Sequence, residues 1–257
     1  MSLPHFFAGA PEAGDRVTLD PDDARHATGS LRLGVGDRLT SGDGRGRVAV
    51  CRIVDARSGA VVAEVESVDA ADPERPALTV ILAAPKGERL TWAVQKLTEV
   101  GTDRIALVET ARGVRRWRGA RADRARERVE AVAREAAKQS RRRFLPLIEG
   151  PMSWGEAIGS AAEGGPVVVL WERATTGLAA ALPDDPPDAI ALVVGPEGGI
   201  TEAEAADAGS RGALVAALGA SILRTETAAL AAASIVLSRY GRLGERGGSL
   251  DPGGGSG

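Results

Sequence analysis

A glycine-rich turn, GPEGG at residues 195–199, follows the apolar run Ile190–Val194 and precedes Thr201 and Glu204. An apolar run that ends at a Gly/Pro turn predicts a buried strand, and Thr with Glu three residues later predicts the capping box of a helix. Glycines let a ligand approach the backbone, and a helix N-terminus offers free N–H groups. The stretch therefore predicts a ligand loop between a strand and a helix.

The ligand of this loop is not predicted to be a nucleotide triphosphate. The turn fits neither G-x-G-x-x-G nor G-x-x-x-x-G-K-[ST], and no Lys follows it. A second loop, LGASILRTETAALAA at residues 218–232, is also rich in small and apolar residues. Such loops bind through backbone groups and an apolar wall, which suits a purine and a thioether. A nucleotide-binding enzyme is therefore disfavoured.

Both loops belong to a region of alternating strands and helices. Strands are predicted at Leu78–Ala83, Ile105–Val108, Pro166–Leu170, Ile190–Val194 and Ala213–Leu218, and helices at Leu90–Val100, Ala120–Ser140, Thr201–Ser210 and Thr225–Tyr240. This alternation predicts an α/β domain with a mostly parallel sheet. Ligands bind such sheets at the carboxyl ends of the strands, so we expect the two loops to form one crevice.

The N-terminal part has a different pattern. Short β-like segments separated by Gly/Asp turns fill residues 16–69 and predict a small β-barrel. The PERP stretch at residues 73–76 reads as a linker. We therefore predict a barrel domain at 1–73, an α/β domain at 74–244 and a disordered Gly-rich tail at 245–257.

The bulk composition excludes several classes of protein. The 257 residues are 44% hydrophobic and 26% charged, which is typical of a globular protein. Cys51 is the single cysteine and cannot form an internal disulfide, and two histidines make a zinc site improbable. No signal peptide or run of about 18 apolar residues is present. The sequence predicts a cytoplasmic protein without a metal or a membrane span.

The charges are distributed unevenly. Between Arg112 and Arg143 there are thirteen basic and four acidic residues, although the whole chain has a net charge of −3. A basic stripe on an acidic protein favours contact with nucleic-acid phosphates, through residues such as Arg112, Arg115 and Arg142. The alternative is a solvated helix face in a chain whose basic residues are nearly all Arg.

The two loops together resemble the C-terminal signature motifs of RsmE-type methyltransferases, which belong to the SPOUT (α/β-knot) class. The segments QKLTEVG at 95–101 and AKQSRR at 137–142, and the N-terminal residues Leu31, Arg32, Gly36 and Asp37, are also similar to that family. The resemblance covers about residues 3–242. The glycine turn alone is moderate evidence, whereas the turn with LRTETA at this distance is strong evidence.

The resemblance implies an S-adenosylmethionine-dependent enzyme that methylates N3 of a uridine in the 16S RNA of the small ribosomal subunit. It also implies a PUA-like N-terminal barrel, a C-terminal domain threaded into a deep trefoil knot, and a homodimer. Carried over by position, the expected cofactor contacts are Gly195, Glu197, Gly198, Gly199, Leu218, Gly219, Ile222, Leu223 and Thr227.

The reaction itself needs stabilisation of negative charge. Loss of the N3 proton leaves charge on the flanking carbonyl oxygens, and Arg224 in the LRTET loop is our candidate to stabilise it. The alternative is a structural Arg224 that pairs with Glu226 or Glu197. Glu197 could act as the base or could cap the turn, whereas Thr225 and Glu226 are expected to cap a helix.

The barrel is expected to help grip folded RNA through Arg25, Arg32 and His5. Family members commonly have Arg at the position of His5, Glu at that of Lys138 and Pro at that of Ala220. The first difference weakens the assignment of His5 as a phosphate contact. The other two lie outside the glycine turn.

Two alternatives of other kinds remain open. Another SPOUT enzyme could methylate a ribose 2′-oxygen or a guanine, although the ribose branch carries Asn-x-Ser where this chain has Arg-Thr-Glu-Thr. A non-catalytic ribosome-assembly factor could keep the fold without the cofactor. The intact glycines at 195, 198 and 199 argue against that factor.

Overall fold

The chain divides into two compact units. The computed structural model describes residues 3–57, 59–85, 87–113, 117 and 119–244. The first unit comprises residues 3–73 with Ala137–Leu145, and the second comprises the described residues of Glu74–Ala136 and from Pro146 onward. The sequence-based domain limits had placed 137–145 in the second domain. The predicted tail at 245–257 lies outside the described residues.

The first unit is built on a five-stranded sheet with the order β1-β3-β4-β5-β2. Its strands are β1 His5–Phe6, β2 Arg16–Thr18, β3 Arg38–Gly42, β4 Arg47–Asp55 and β5 Val62–Ala70. β1 and β3 pair in parallel, and the other pairs are antiparallel. A short helix, α1 (Pro21–Arg25), is capped by the Asp20 side chain and continues into a π-helical turn, His26–Ser30.

The second unit contains a six-stranded sheet with the order β11-β9-β10-β6-β7-β8. Its strands are β6 Ala77–Ala83, β7 Arg104–Glu109, β8 Leu147–Ser153, β9 Val167–Leu170, β10 Ala189–Val194 and β11 Leu214–Ala216. Every pair is parallel, which confirms the predicted type of sheet.

Helices pack on both faces of this sheet. They are α2 Arg89–Val100, α3 Ala120–Ser140, α4 Trp154–Gly164, α5 Leu178–Ala181, α6 Glu202–Ser210 and α7 Thr225–Arg239. Because side chains alternate along a strand, Val80 and Leu82 of β6 join one apolar layer and Ile81 joins the other. Among the described residues, no helix is long and apolar enough to cross a membrane.

Strand β8 was not predicted from the sequence. It contains Gly150 and Pro151, residues that argue against a strand. β8 is an edge strand, where Pro is tolerated, and its register with β7 shifts between Ala106 and Val108. A Cβ on Gly150 would lie 2.3 Å from the carbonyl oxygen of Leu107, so the glycine permits this close approach. Only the pairing with β7 reveals the strand.

Candidate functional site

A cavity of about 230 Å³ lies at the carboxyl ends of three neighbouring strands of the second unit. The segments that follow β9, β10 and β11 line it, which is the edge where parallel sheets bind ligands. The lining residues are Leu170, Trp171, Glu172, Val194, Gly195, Pro196, Glu197, Gly198, Gly199, Ile200, Leu218, Gly219, Ser221, Ile222, Leu223, Thr225 and Ala228. The two loops singled out in the sequence therefore share one crevice.

Eight of the nine expected cofactor contacts line this cavity, and Thr227 does not. Thr227 is exposed on α7, between the lining residues Thr225 and Ala228. Sequence reasoning missed Trp171 and Glu172, which directly follow β9. Their signal was available, because β9 was predicted as a buried strand and its carboxyl end had to reach the same edge.

The glycines of the turn make room for the protein's own chain. A Cβ on Gly195 would lie 2.9 Å from the side chain of Ile200, and a Cβ on Gly198 would lie 3.1 Å from the Cβ of Arg112. Gly199 has φ of +73°, a region that L side chains rarely adopt. The sequence assigned these glycines to ligand approach, whereas the contacts show that a side chain at 195 or 198 would also crowd Ile200 or Arg112.

The helix after the turn begins as predicted. Thr201 is the N-cap of α6, and Thr201 with Glu204 forms the expected capping box. The other carboxylate oxygen of Glu204 accepts a hydrogen bond from the Ala111 backbone N–H at 2.7 Å. Glu204 therefore also fixes the chain after β7 beside the turn.

The second loop is joined directly to the first. The Thr225 hydroxyl donates to the carbonyl oxygen of Gly195 at 3.0 Å. Arg224, not Thr225, occupies the N-cap position of α7, and its side chain makes no capping hydrogen bond. The expectation that Thr225 caps the helix was therefore wrong. Its hydroxyl instead connects the start of α7 to the glycine turn.

The carboxylates of the two loops share Arg89, the first residue of α2. Arg89 Nη1 lies 3.3 Å from Glu197 Oε1, and Arg89 Nε lies 3.7 Å from Glu226 Oε1. Arg224 is exposed, and its side chain forms no hydrogen bond or ion pair within the described part of the chain. The alternative in which Arg224 pairs with Glu226 or Glu197 was therefore wrong, because Arg89 takes that place.

The cavity is acidic rather than basic. Glu172 and Glu197 line it, and within the described part of the chain no Lys or Arg does so. A site of this kind repels phosphates and suits a ligand with a positive charge or hydroxyl donors. The described residues also contain no group of three or more His, Cys, Asp or Glu that could hold a metal ion.

The residues expected to contact RNA in the first unit differ in accessibility. Arg25 and Arg32 are exposed, and Arg25 pairs with Asp22. His5 is buried, and its Nδ1 lies 2.9 Å from Thr40 Oγ1. The pKa of His5 is lowered to about 4, chiefly by burial and also by the positive charges of Arg141 and Arg143, while a backbone hydrogen bond with Arg142 opposes the shift. A neutral, buried imidazole gives no support to His5 as a phosphate contact.

Two of the three expected contacts in the basic stripe, Arg112 and Arg142, lie within the described residues. Arg112 is exposed, and its Nη1 donates to the Gly198 carbonyl oxygen at 2.9 Å. Arg142 is partly buried in the segment assigned to the first unit. Arg115 lies outside the described residues. Arg112 is thus a support of the glycine turn, whatever else it contacts.

The chain matches two family descriptions and a set of named relatives. The RNA methyltransferase domain family matches residues 73–237, and the RNA methyltransferase PUA domain family matches residues 19–66. The ribosomal RNA small subunit methyltransferase E of Mycobacterium bovis is 39% identical, over 90% of each chain. That of Bacillus subtilis is 28% identical, over 88% of this chain and 91% of the relative.

A solved structure agrees with these matches. The ribosomal RNA small subunit methyltransferase E of Neisseria gonorrhoeae, bound to S-adenosyl methionine, superposes with a TM-score of 0.84 at 28% identity. The superposition covers 93% of this chain and 98% of that one. The predicted fold class, an α/β domain preceded by a PUA-like barrel, is thereby confirmed. The chain belongs to the ribosomal RNA small subunit methyltransferase E family.

Proposed function

We propose that the chain transfers a methyl group from S-adenosylmethionine to N3 of a uridine in the 16S RNA of the small ribosomal subunit. Family membership makes the chain an S-adenosylmethionine-dependent ribosomal RNA methyltransferase. The choice of N3 is the finer assignment, and it rests on the resemblance of GPEGGIT and LRTETA to the RsmE motifs.

The observation that carries the cofactor assignment is the composition of the cavity wall. Glu172 and the Arg89-paired Glu197 line it without a Lys or Arg among the described lining residues, and this wall suits a sulfonium and ribose hydroxyls and not a triphosphate. Apolar residues, including Leu218 and Trp171, offer a wall for a purine. These residues and the 195–199 turn would hold the cofactor.

When bound, S-adenosylmethionine supplies a methyl group on a positively charged sulfur. The protein must align the acceptor nitrogen with that methyl and stabilise the charge left when N3 loses its proton. Arg224 suits the second task because it is exposed, has no partner among the described residues, and lies between the lining residues Leu223 and Thr225. We keep it as the proposed stabilising cation.

The RNA would be held by exposed or partly buried basic residues of the first unit and of the stripe. Arg25, Arg32 and Arg142 remain proposed contacts. Arg112 is also retained, although its side chain donates to the carbonyl oxygen of Gly198 in the glycine turn. The homodimer and the trefoil knot are proposed on the same resemblance. His5 is not retained, because its side chain is buried.

The test is nucleoside mass spectrometry on small ribosomal subunits that lack the modification, incubated with the protein and S-adenosylmethionine. We expect 3-methyluridine to form with the wild type and to be lost in Gly198→Val, because the larger side chain displaces Arg112 and the turn. The matched control is Gly159→Val in α4, where a Cβ meets nothing within 4 Å. Its product should equal that of the wild type.

The outcomes separate the parts of the proposal. A methylated ribose or guanine in place of 3-methyluridine would make the position wrong but keep the enzyme class. Cofactor binding without any methylated nucleoside would remove the substrate assignment. Absence of cofactor binding by the wild type would remove the proposed function.

A further inference from the structure

We infer that Arg89 is a positioning residue that holds the two cofactor loops together by neutralising a carboxylate from each. The inference rests on the proposed function, because it assigns a purpose to Arg89 in that same site. Arg89 does not line the cavity itself. It would act through Glu197 of the glycine turn and Glu226 of the LRTET loop.

The burial of the two carboxylates sets the strength of these contacts. The Glu226 side chain is 11% exposed and that of Glu197 is 28% exposed, whereas that of Arg89 is 42% exposed. Solvent screens buried charges less than surface charges, so each carboxylate depends on its cation more than a surface pair does. Arg89 therefore neutralises charges that water cannot fully stabilise.

Glu226 depends on Arg89 more strongly than Glu197 does. Glu226 Oε2 is buried and has no hydrogen-bond partner among the described residues, so Arg89 beside Oε1 is the cation that stabilises the group. The N-terminus of α7 adds favourable partial charge, because Glu226 lies in the first helical turn. Without Arg89, a buried carboxylate would remain near the carboxylate of Glu197.

The two carboxylates that Arg89 contacts lie at or next to the cavity wall. Glu197 and Thr225, the neighbour of Glu226, are both lining residues, and Thr225 already joins α7 to Gly195. Arg89 extends from α2, which packs against α7. The guanidinium thus supplies a second connection between the two loops that line the cavity. Preorganised loops bind a ligand without an ordering cost.

The first experiment needs no ligand. Amide hydrogen exchange of the full chain is compared between wild type, Arg89→Met and Arg211→Met. Arg211 is the matched control, since its side chain is 45% exposed and pairs with Asp207 on α6. We expect faster exchange at both 195–199 and 222–227 in Arg89→Met, and wild-type exchange in Arg211→Met. Unchanged exchange in Arg89→Met would overturn the inference, whatever the cofactor is.

The second experiment is a titration with S-adenosylmethionine. We expect Arg89→Met to weaken binding about tenfold, or about 1.4 kcal/mol, and Arg211→Met to leave it unchanged. The double variant Arg89→Met/Glu226→Gln should recover most of the loss, because it removes the uncompensated charge. Arg89→Lys should give an intermediate loss, since an ammonium is a point charge without the forked guanidinium.

The two results distinguish the inference from the proposed function. Binding by the wild type with equal binding by Arg89→Met would overturn the inference alone. A double variant that binds no better than Arg89→Met would show that Arg89 does not act through the charge of Glu226. Failure of wild type and Arg211→Met to bind would overturn the proposed cofactor. The exchange data would still test whether Arg89 holds the two loops together.

Discussion

At the scale of single residues, burial decides what a side chain can do. Glycines 195 and 198 lie where a Cβ would crowd Ile200 or Arg112, so packing within the chain favours glycine there before any ligand is considered. His5 shows the same principle for a titratable group. Its sequence position indicated an RNA contact, but its side chain is buried beside Thr40.

The burial of His5 predicts a dependence of stability on pH. Burial lowers its pKa from 6.5 to about 4, so the unfolded chain binds more protons between these values. The free energy of unfolding therefore falls as pH drops through this range, and His5 adds no such slope above it. Between pH 7.5 and pH 5, His5 should account for a loss of about 2 kcal/mol.

The measurement is urea unfolding of wild type, His5→Gln and His26→Gln at both pH values. Carboxylates titrate in all three, so the comparison isolates the imidazole. We expect a smaller loss in His5→Gln than in wild type, and a wild-type loss after replacement of the exposed His26. Equal losses in wild type and His5→Gln would contradict the assignment.

At the scale of elements, the last turn of α3 is fixed by a buried charge pair. Lys138 Nζ lies 2.5 Å from Asp23 Oδ1, with side chains 11% and 7% exposed. Lys138 was noted as a departure from the family pattern, and its partner on α1 was not predictable. Sequence separation hides the pair, because the two positions are 115 residues apart in the chain.

This pair predicts a large asymmetry between single and double variants. Lys138→Met should lower the free energy of unfolding by about 3–5 kcal/mol, because it removes the cation paired with the buried carboxylate of Asp23. Asp23→Asn/Lys138→Met should recover most of that loss. Arg126→Met, which breaks an exposed pair with Glu130 on the same helix, should cost less than about 0.5 kcal/mol. Denaturant unfolding of the three variants checks this, and a Lys138→Met loss as small as that of Arg126→Met would contradict it.

At the scale of the whole chain, Arg242 closes the second unit. Its side chain is 6% exposed, and Nη1 donates to Asp103 Oδ2 at 2.6 Å and to the Pro76 carbonyl oxygen at 2.7 Å. Burial opposes the charged guanidinium, but the hydrogen bonds and charges of Asp103 and Glu74 outweigh it and raise the pKa of Arg242. Arg242, which follows the end of α7, is thus tied to Pro76, the residue before β6.

Loss of this connection should destabilise the protein severely. We expect Arg242→Met to lower the free energy of unfolding by about 3–5 kcal/mol, because Asp103 would lose its buried partner. Arg239→Met is the matched control, since Arg239 pairs with the fully exposed Asp184 and should contribute less than about 1 kcal/mol. Thermal and denaturant unfolding give the comparison. Equal losses in the two variants would contradict a specific role for Arg242.

Local signals account for most elements of the α/β unit. Buried runs before glycine turns and amphipathic helices with recognisable ends predicted β6, β7, β9, β10, β11 and the helices α2, α3, α6 and α7. Gly101 ends α2 with φ of +112°, as its position indicated. By contrast, β8 has local breakers and exists through pairing with β7. Residue propensities and capping signals therefore predict a strand or helix only where the segment's own residues favour it.

The sequence alone determined the parallel sheet and the two loops, because strand patterning, turn glycines and capping residues are local properties, and the resemblance of its motifs indicated the family. Tertiary structure decided the partners of the charged groups. Arg89, not Arg224, lies beside Glu197 and Glu226, and Glu172 reaches the cavity from β9. Ion pairing depends on which side chains packing brings within a few ångströms, and no spacing along the chain encodes that distance.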